Sequence, residues 1–136
     1  MSANPSSRII RFSTFEVNLD TGELRQRGQK VTLLGMLHAC RNQRDPALEC
    51  VRKALESPRS FGHTHHSYYQ IACIYAVLGE IDKAIAWLER SVETGNPCWR
   101  FFRIDPCLKN LLDEPRFQSL VADLEREFTA LKIERL

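Results

Sequence analysis

The chain has 136 residues, which is the usual length of one globular domain. Hydrophobic residues make up 43% of it and charged residues 26%, proportions that exclude a disordered tail, a collagen-like repeat and a disulfide-dense scaffold. The net charge is +2, so no strong overall field indicates a nucleic acid or a membrane as partner.

The five cysteines are scattered and contain no C-x-x-C pair: Cys40, Cys50, Cys73, Cys98 and Cys107. Paired spacings would indicate a zinc site or a disulfide framework, whereas scattered ones are typical of thiols in a reducing compartment. The N-terminal residues are polar and lack the apolar core of a signal peptide. No apolar stretch is long enough to span a membrane. We therefore expect a cytoplasmic protein that makes no use of a membrane.

Residues 1–33 predict a small antiparallel β meander. β-branched and aromatic residues at Arg8–Phe12 and Phe15–Leu19 alternate with turn residues at Asp20–Gly22 and Arg27–Gly28. The spacing between the turns is too short for helices. This segment contains five basic and three acidic residues, so it carries the whole excess of positive charge.

Residues 34–97 change to the apolar period of helices. The first helix is expected to begin near Leu33 or Leu34. Asp45 and Pro46 predict the start of the next, because Asp45 can cap free amides and proline has no amide to leave unpaired. Two further helices are predicted, separated by Gly79: His66–Leu78 and Asp82–Glu93.

Residues 98–136 predict a C-terminal capping segment. It begins with a dense group of apolar residues at 99–104, and a short helix is expected after Asp105 and Pro106. The last helix is predicted to start near Asp113–Pro115. It carries one apolar face, made of Phe117, Leu120, Val121, Leu124, Phe128 and Leu131. We expect this face to cover an exposed surface of the preceding helices.

An internal repeat is the strongest pattern in the chain. It runs Tyr68-x-x-Ile71-Ala72-x-x-Tyr75, then Gly79, Ala84-x-x-x-Leu88 and Pro97, and it resembles the tetratricopeptide repeat. Ala72 and Ala84 are expected where two antiparallel helices cross, because a small side chain lets the helices approach closely. Gly79 is expected in the turn between them.

An earlier copy of the repeat lies 37 residues upstream (72 − 35, 84 − 47 and 88 − 51). It places Gly35, Ala47 and Val51 at the positions of Ala72, Ala84 and Leu88. Because a tetratricopeptide repeat has 34 residues, about three residues are inserted, most naturally in the 57–64 linker.

Two segments of the chain resemble parts of a bacterial protein family. Ser67–Arg116 resembles the C-terminal part of bacterial tetratricopeptide-repeat proteins, whose repeat is followed by three short motifs, here Asp105-Pro106, Leu111-Leu112 and Pro115-Arg116-Phe117-Gln118. In many members such repeats follow the OmpR-like winged-helix DNA-binding domain of transcriptional regulators. The start of this chain resembles the N-terminal sheet of that domain, in Ile10-x-Phe12-x-x-Phe15-x-Val17, Thr21-Gly22-Glu23-Leu24 and Gly28-x-x-Val31-x-Leu33. Leu33 leads directly into repeat helices, so the resemblance implies a truncated domain without its DNA-reading helix.

These patterns together predict a mainly α fold. It consists of two tetratricopeptide-like helical hairpins and a capping helix, with a small N-terminal antiparallel β meander at one end. The predicted parts are 1–33 for the meander, 34–97 for the two repeats and 98–136 for the capping segment. Two repeats are fewer than the three usually needed for stability. We expect a monomer completed by the capping helix, or a homodimer formed through unpaired repeat ends.

The repeat register predicts a protein-binding groove on the concave side of the hairpins. Its expected lining is Met36, Cys40, His66, Tyr69, Gln70, Cys73 and Val77. This surface is mildly apolar and uncharged, which suits a peptide or a helix of another protein. The alternative is internal packing, with Tyr69 and Met36 against the N-terminal strands.

No catalytic constellation is visible in the sequence. His65 and His66 point to different sides of a helix start, and Cys73 lies among apolar neighbours, so neither a metal site nor a reactive thiol is predicted. No cofactor is expected either. The sequence therefore predicts a non-enzymatic protein–protein interaction module.

A nucleic-acid partner is the alternative. Arg25, Arg27 and Lys30 are possible contacts to DNA phosphates, which give affinity without reading the base sequence. The segments 34–97 and 98–136 each hold seven basic and seven acidic residues, a balance that favours a protein partner. The alternative function is a winged-helix DNA-binding regulator, or a degenerate remnant of one.

Overall fold

The computed structural model describes residues 8–12, 15–18, 20, 23–26, 29–30, 32–56 and 64–133. Within these ranges, four short strands are followed by six α-helices, with a 3₁₀ helix between the fifth and the sixth. The predicted linker at 57–64 lies outside the described residues except for Thr64.

The strands form one antiparallel sheet in sequence order: β1 Ile9–Phe12, β2 Phe15–Asn18, β3 Glu23–Gln26 and β4 Gln29–Lys30. Ile9 is paired with Asn18, and Asn18 in turn with Glu23. β3 lies against the first helix. Because side chains alternate between the two faces, strands of two to four residues place at most two side chains each on a given face.

The helices account for most of the described chain. They are α1 Leu33–Cys40, α2 Arg44–Glu56, α3 Thr64–Val77, α4 Ile81–Glu93, α5 Trp99–Ile104, the 3₁₀ helix Pro106–Leu111 and α6 Pro115–Ile133. α1 packs on α2 and α3 on α4, so these four helices form two consecutive hairpins. α1 and the 3₁₀ helix both pack on α3, which makes α3 the central element of the fold.

Gly35 allows α1 to lie close to both α2 and α3. A Cβ atom at this position would be 2.9 Å from Cys50 Cβ and 2.8 Å from Ile74 Cδ1, distances that real Cβ atoms do not tolerate. Ala47 and Val51 are buried in the same hairpin. The requirement for the smallest residue at 35, which the repeat register predicts, is confirmed by this geometry.

The second hairpin is held by small residues at its crossing. Ala72 of α3 and Ala84 of α4 are both fully buried, and α3 and α4 make the most extensive contact between any two described elements. Gly79, in the turn, has φ +78°, a conformation in which glycine has no steric penalty. The predicted roles of these three residues are confirmed.

The C-terminal segment closes the open side of the second hairpin. Trp99 and Phe102 of α5 are buried in one cluster with apolar residues of α3, α4, the 3₁₀ helix and α6. Asp105 caps the 3₁₀ helix, since its Oδ1 accepts a hydrogen bond of 2.8 Å from the Cys107 amide. Two hydrogen bonds from Arg116 to Glu89, of 2.6 and 3.0 Å, tie α6 to α4.

The predicted fold class is wrong in giving a β meander a place in the packed fold. Residues 32–56 and 64–133 contain seven helices and no β-strand. The buried apolar side chains of both hydrophobic clusters belong to these helices. Strands this short offer little area to bury, whereas helices of 13 to 19 residues present long apolar stripes. The hydrophobic core formed by residues 32–56 and 64–133 is therefore all-α.

The short helix predicted after Asp105 and Pro106 is confirmed as the 3₁₀ helix, but the prediction for residues 98–136 lacks one further helix. The apolar group at 99–104 is itself a helix, α5, and a 3₁₀ helix follows before α6 begins. The predicted apolar face of α6 is buried only in its first part. Phe128 and Leu131 are 51% and 60% exposed, because the last turns of α6 extend past the elements that it covers.

The start of α2 lies two residues before the predicted one. The helix begins at Arg44 and holds Asp45 and Pro46 in its first turn. The Ala47 amide donates to the Gln43 carbonyl at 3.1 Å, so the helix starts two residues earlier than a cap at Asp45 requires. Asp45 still favours the helix, as an acidic residue near the positive end of its dipole.

No helix among the described residues is both long enough and apolar enough to cross a membrane.

Candidate functional site

The residues predicted to line the groove divide into accessible and covered ones. Cys40 and His66 are exposed, Cys73 is buried, and the others are half-buried: Met36, Tyr69, Gln70 and Val77. The buried and half-buried residues of this set face other parts of the same chain. The predicted groove is therefore open mainly toward α1 and the start of α3.

Tyr69 is covered by the C-terminal segment. Its ring stacks on Phe102, with centroids 5.6 Å apart and 21° between the planes, and its centroid is 5.9 Å from that of Phe101. Its hydroxyl donates a hydrogen bond to Asp105 Oδ2. Tyr69 thus joins α3 to the junction between α5 and the 3₁₀ helix, in place of the predicted exposure in the groove.

Cys73 lies one turn further along α3 and is only 1% exposed. Its Sγ is 4.0 Å from Asp105 Oδ2, on the same side of the helix as Tyr69. This position excludes a contact between Cys73 and a partner molecule in the groove.

The acid–base properties of this junction follow from its burial. Burial raises the pKa of the Tyr69 phenol, and the hydrogen bond to Asp105 raises it further. Burial also raises the pKa of the Cys73 thiol, with the Asp105 charge as the next cause, and it raises the pKa of Cys107 to about 11. All three groups keep their protons at neutral pH, so neither thiol is the thiolate that nucleophilic chemistry requires.

The other half of the predicted groove is the contact of α1 with α3. The buried Thr32 hydroxyl donates a hydrogen bond to Gln70 Oε1. Met36 packs against the core clusters of both hairpins. Met36 and Tyr69 both contact helices of this chain, and packing of the two side chains against the N-terminal strands stays a prediction.

α1 presents an exposed apolar stripe. Leu33 is 42% and Leu37 46% exposed, and together with Met36 and Cys40 they follow the spacing i, i+3, i+4 and i+7, which aligns side chains along one side of a helix. We call these four residues the α1 stripe. The repeat register predicts Met36 and Cys40 in the groove but not the two leucines, although their separation of four residues also suits one side of a helix.

The histidines at the start of α3 do not converge with Cys73. His65 and His66 have ring centroids 4.1 Å apart, and the His65 carbonyl accepts a hydrogen bond of 2.8 Å from Ser91 Oγ. His66 is exposed in the first turn of α3. His63 lies outside the described residues.

For the residues predicted to contact DNA phosphates, the structure gives the pairing of their strands. Arg25 is paired with Lys30 on one side and with Glu16 on the other, and Glu16 is paired with Arg11. An acidic position therefore interrupts the basic row across the sheet. Arg27 lies outside the described residues. Contact with DNA phosphates stays a prediction.

One comparison with known proteins identifies part of the chain. Residues 65–94 match the family model of the tetratricopeptide repeat, a segment that begins in α3 and ends directly after α4. The chain therefore contains a tetratricopeptide repeat, as the pattern over Tyr68–Leu88 predicts. The match gives no support to a bacterial origin, a transcriptional regulator or a winged-helix start. No curated protein and no solved structure matches the chain.

Proposed function

We propose that this protein is a non-enzymatic protein-interaction module that binds a peptide or a helix of a partner protein on the concave side of its helical hairpins. The observation that carries the proposal is the tetratricopeptide repeat at residues 65–94, since repeats of this kind stack to form extended concave binding surfaces. The raised pKa values of Cys73 and Cys107 support the non-enzymatic part.

The binding surface of this proposal centres on the α1 stripe. Leu33 and Leu37 expose apolar area beside the predicted groove residues Met36 and Cys40. Burial of such area against a partner is favourable by about 25 cal/mol per Å². An amphipathic helix laid along α1 would present its apolar face to the stripe, which is the usual way in which helical surfaces recognise helices.

His66 is the second part of the proposed surface. It is exposed on α3, four residues before Gln70, whose side chain contacts Thr32 at the start of α1. Its imidazole offers a polar contact at the edge of an apolar surface, and such a rim is typical of protein interfaces. The proposed module acts in the cytoplasm and binds its partner as a monomer or a homodimer.

The test is a quantitative pull-down from native cytosol with matched variants. Leu37→Glu introduces a charge in the middle of the α1 stripe, and Leu131→Glu introduces the same charge at an exposed leucine of α6. The proposal expects one set of proteins to be retained by the wild-type chain and by Leu131→Glu and to be lost with Leu37→Glu. His66→Ala should weaken the same set.

Equal retention by Leu37→Glu and Leu131→Glu would contradict the assigned surface. Circular dichroism and thermal unfolding of each variant serve as the folding control, because both substituted side chains are exposed and should leave the fold unchanged. Tyr69→Ala is unsuitable as a binding variant, since it removes the ring that packs on Phe102.

A further inference from the structure

Two thiols and a carboxylate meet where the 3₁₀ helix packs on α3. They belong to Cys73 of α3, Asp105 at the cap of the 3₁₀ helix and Cys107 within it, and one ligand atom from each lies within 4.8 Å of the others. Cys73 is buried, whereas Asp105 and Cys107 are half-buried. The cluster is thus open to solvent on one side and closed by α3 on the other.

The carboxylate of Asp105 is held in place by two hydrogen bonds, each of which leaves lone pairs on the oxygen that accepts it. Asp105 Oδ1 accepts from the Cys107 amide at 2.8 Å, which fixes the carboxylate relative to the cysteine two residues later. Tyr69 donates to Oδ2 of the same carboxylate. Such outer contacts orient ligands and are a usual part of metal sites.

The separations match a small tetrahedral ion. Zinc binds sulfur at about 2.3 Å and carboxylate oxygen at about 2.0–2.2 Å, so its ligand atoms lie roughly 3.5–3.8 Å from one another. Atoms that are at most 4.8 Å apart reach these distances by shifts of about 1 Å or less. Side-chain rotation at the half-buried Cys107 supplies such a shift without moving a helix.

We propose that Cys73, Asp105 and Cys107 bind one Zn²⁺ ion that pins the 3₁₀ helix to α3. The two thiols release two protons on binding, so that two thiolates and one carboxylate surround the dication. Thiolate ligands select zinc and cadmium over the hard cations magnesium and calcium. The fourth position faces solvent, on the side where Asp105 and Cys107 are half-exposed.

The ion would have a structural role. Asp105 and Cys107 follow Cys73 by more than thirty residues, so the ion would link α3 to a segment distant in sequence and stabilise the folded chain in proportion to its binding. No sequence motif relates these residues, because an Asp-x-Cys spacing with a remote cysteine matches none of the usual paired zinc motifs.

The test uses the full chain, reduced and freed of metal, titrated with ZnCl₂ by calorimetry and with CdCl₂ by ultraviolet absorbance. The wild-type chain should bind one ion, raise its Tm with zinc, and show the thiolate-to-cadmium charge-transfer band. Cys107→Ser should lose the band and weaken zinc binding by more than about 100-fold, since outer-shell changes alone cost 10–100-fold. Cys98→Ser, at an exposed thiol outside the cluster, is the matched control and should behave as the wild type.

A second variant keeps the test decisive if Cys107→Ser does not fold. Asp105→Asn retains an oxygen for the Cys107 amide but removes the charge, so zinc binding should weaken while the chain stays folded. Three results would overturn the proposal: no binding by the wild type, a cadmium band that persists in Cys107→Ser, or one that is lost equally in Cys98→Ser. ¹¹³Cd NMR of the wild-type chain should report two sulfur ligands, and a spectrum without them would also overturn it.

Discussion

The Tyr69 hydroxyl donates a hydrogen bond to the Asp105 carboxylate, and the two residues are 36 positions apart. This contact joins the middle of α3 to the cap of the 3₁₀ helix. It places the C-terminal segment over the part of the hairpin that a partner molecule would otherwise reach. The open surface is consequently displaced toward α1.

Tyr69→Phe should destabilise the chain by about 1.5–3 kcal/mol, the usual contribution of a hydrogen bond to a charged group. The ring remains stacked on Phe102, so the loss isolates the hydroxyl. The measurement is the free energy of unfolding in urea. Tyr75→Phe is the control, and its change should stay within about 0.5 kcal/mol. Equal stability of Tyr69→Phe and the wild type would show that the contact to Asp105 contributes nothing.

Gly35→Ala should destabilise the chain by about 1–3 kcal/mol, the usual cost of overpacking. Alanine has the higher helix propensity by about 1 kcal/mol, so a net loss requires the clash with Ile74 and Cys50. In the Ile74→Val background the closest atom, Cδ1, is absent, and the cost of Gly35→Ala should be smaller. Equal costs in the two backgrounds, measured by thermal unfolding, would exclude Ile74 as the cause.

Two leucines on one face of α6 should respond differently to truncation. Leu124 is 6% exposed and Leu131 is 60% exposed, because only the first part of the helix covers the core. Leu124→Ala should cost about 2–5 kcal/mol, whereas Leu131→Ala should change stability by less than about 0.5 kcal/mol. Similar losses in the two variants would indicate that the end of α6 packs against another surface in solution.

Thiol labelling should separate the cysteines by burial. Cys40 and Cys98 are exposed and should react first with iodoacetamide in the native chain. Cys73 should stay unlabelled, because it is buried and its raised pKa keeps it in the unreactive thiol form. Peptide mass spectrometry identifies the labelled sites. Labelling of Cys73 as fast as Cys98 would contradict the packing of the 3₁₀ helix on α3.

The sequence predicts the two hairpins well, because local period and small residues determine them. Ala72, Ala84 and Gly79 lie at a crossing and a turn whose geometry permits few other residue types, so their spacing is readable. α5 was missed as a helix, since six residues are too few to establish a period. The fold class was wrong for the packed core, because both hydrophobic clusters of the described residues are built from helices alone.

The site was harder to predict than the hairpins. The repeat register identifies which positions of α3 face the groove, but it does not tell what covers them. Tyr69 and Cys73 are covered by Phe102, Asp105 and their neighbours, more than thirty residues away, and no local pattern reports such contacts. Leu33 and Leu37 were not predicted to belong to the binding surface, because the register of the first repeat was aligned on Gly35 and on half-buried positions.

Selection from a displayed peptide library tests the proposed binding surface most directly. Peptides enriched on the wild-type chain should bind Leu131→Glu with equal affinity. Their affinity for Leu37→Glu should be lower by a factor of about ten or more, which is a loss of about 1.4 kcal/mol or more in binding free energy. Amide chemical shifts of the labelled wild-type chain should change along the α1 stripe when a selected peptide is added. Peptides that bind Leu37→Glu as tightly as the wild type, with shifts confined to other helices, would contradict the account.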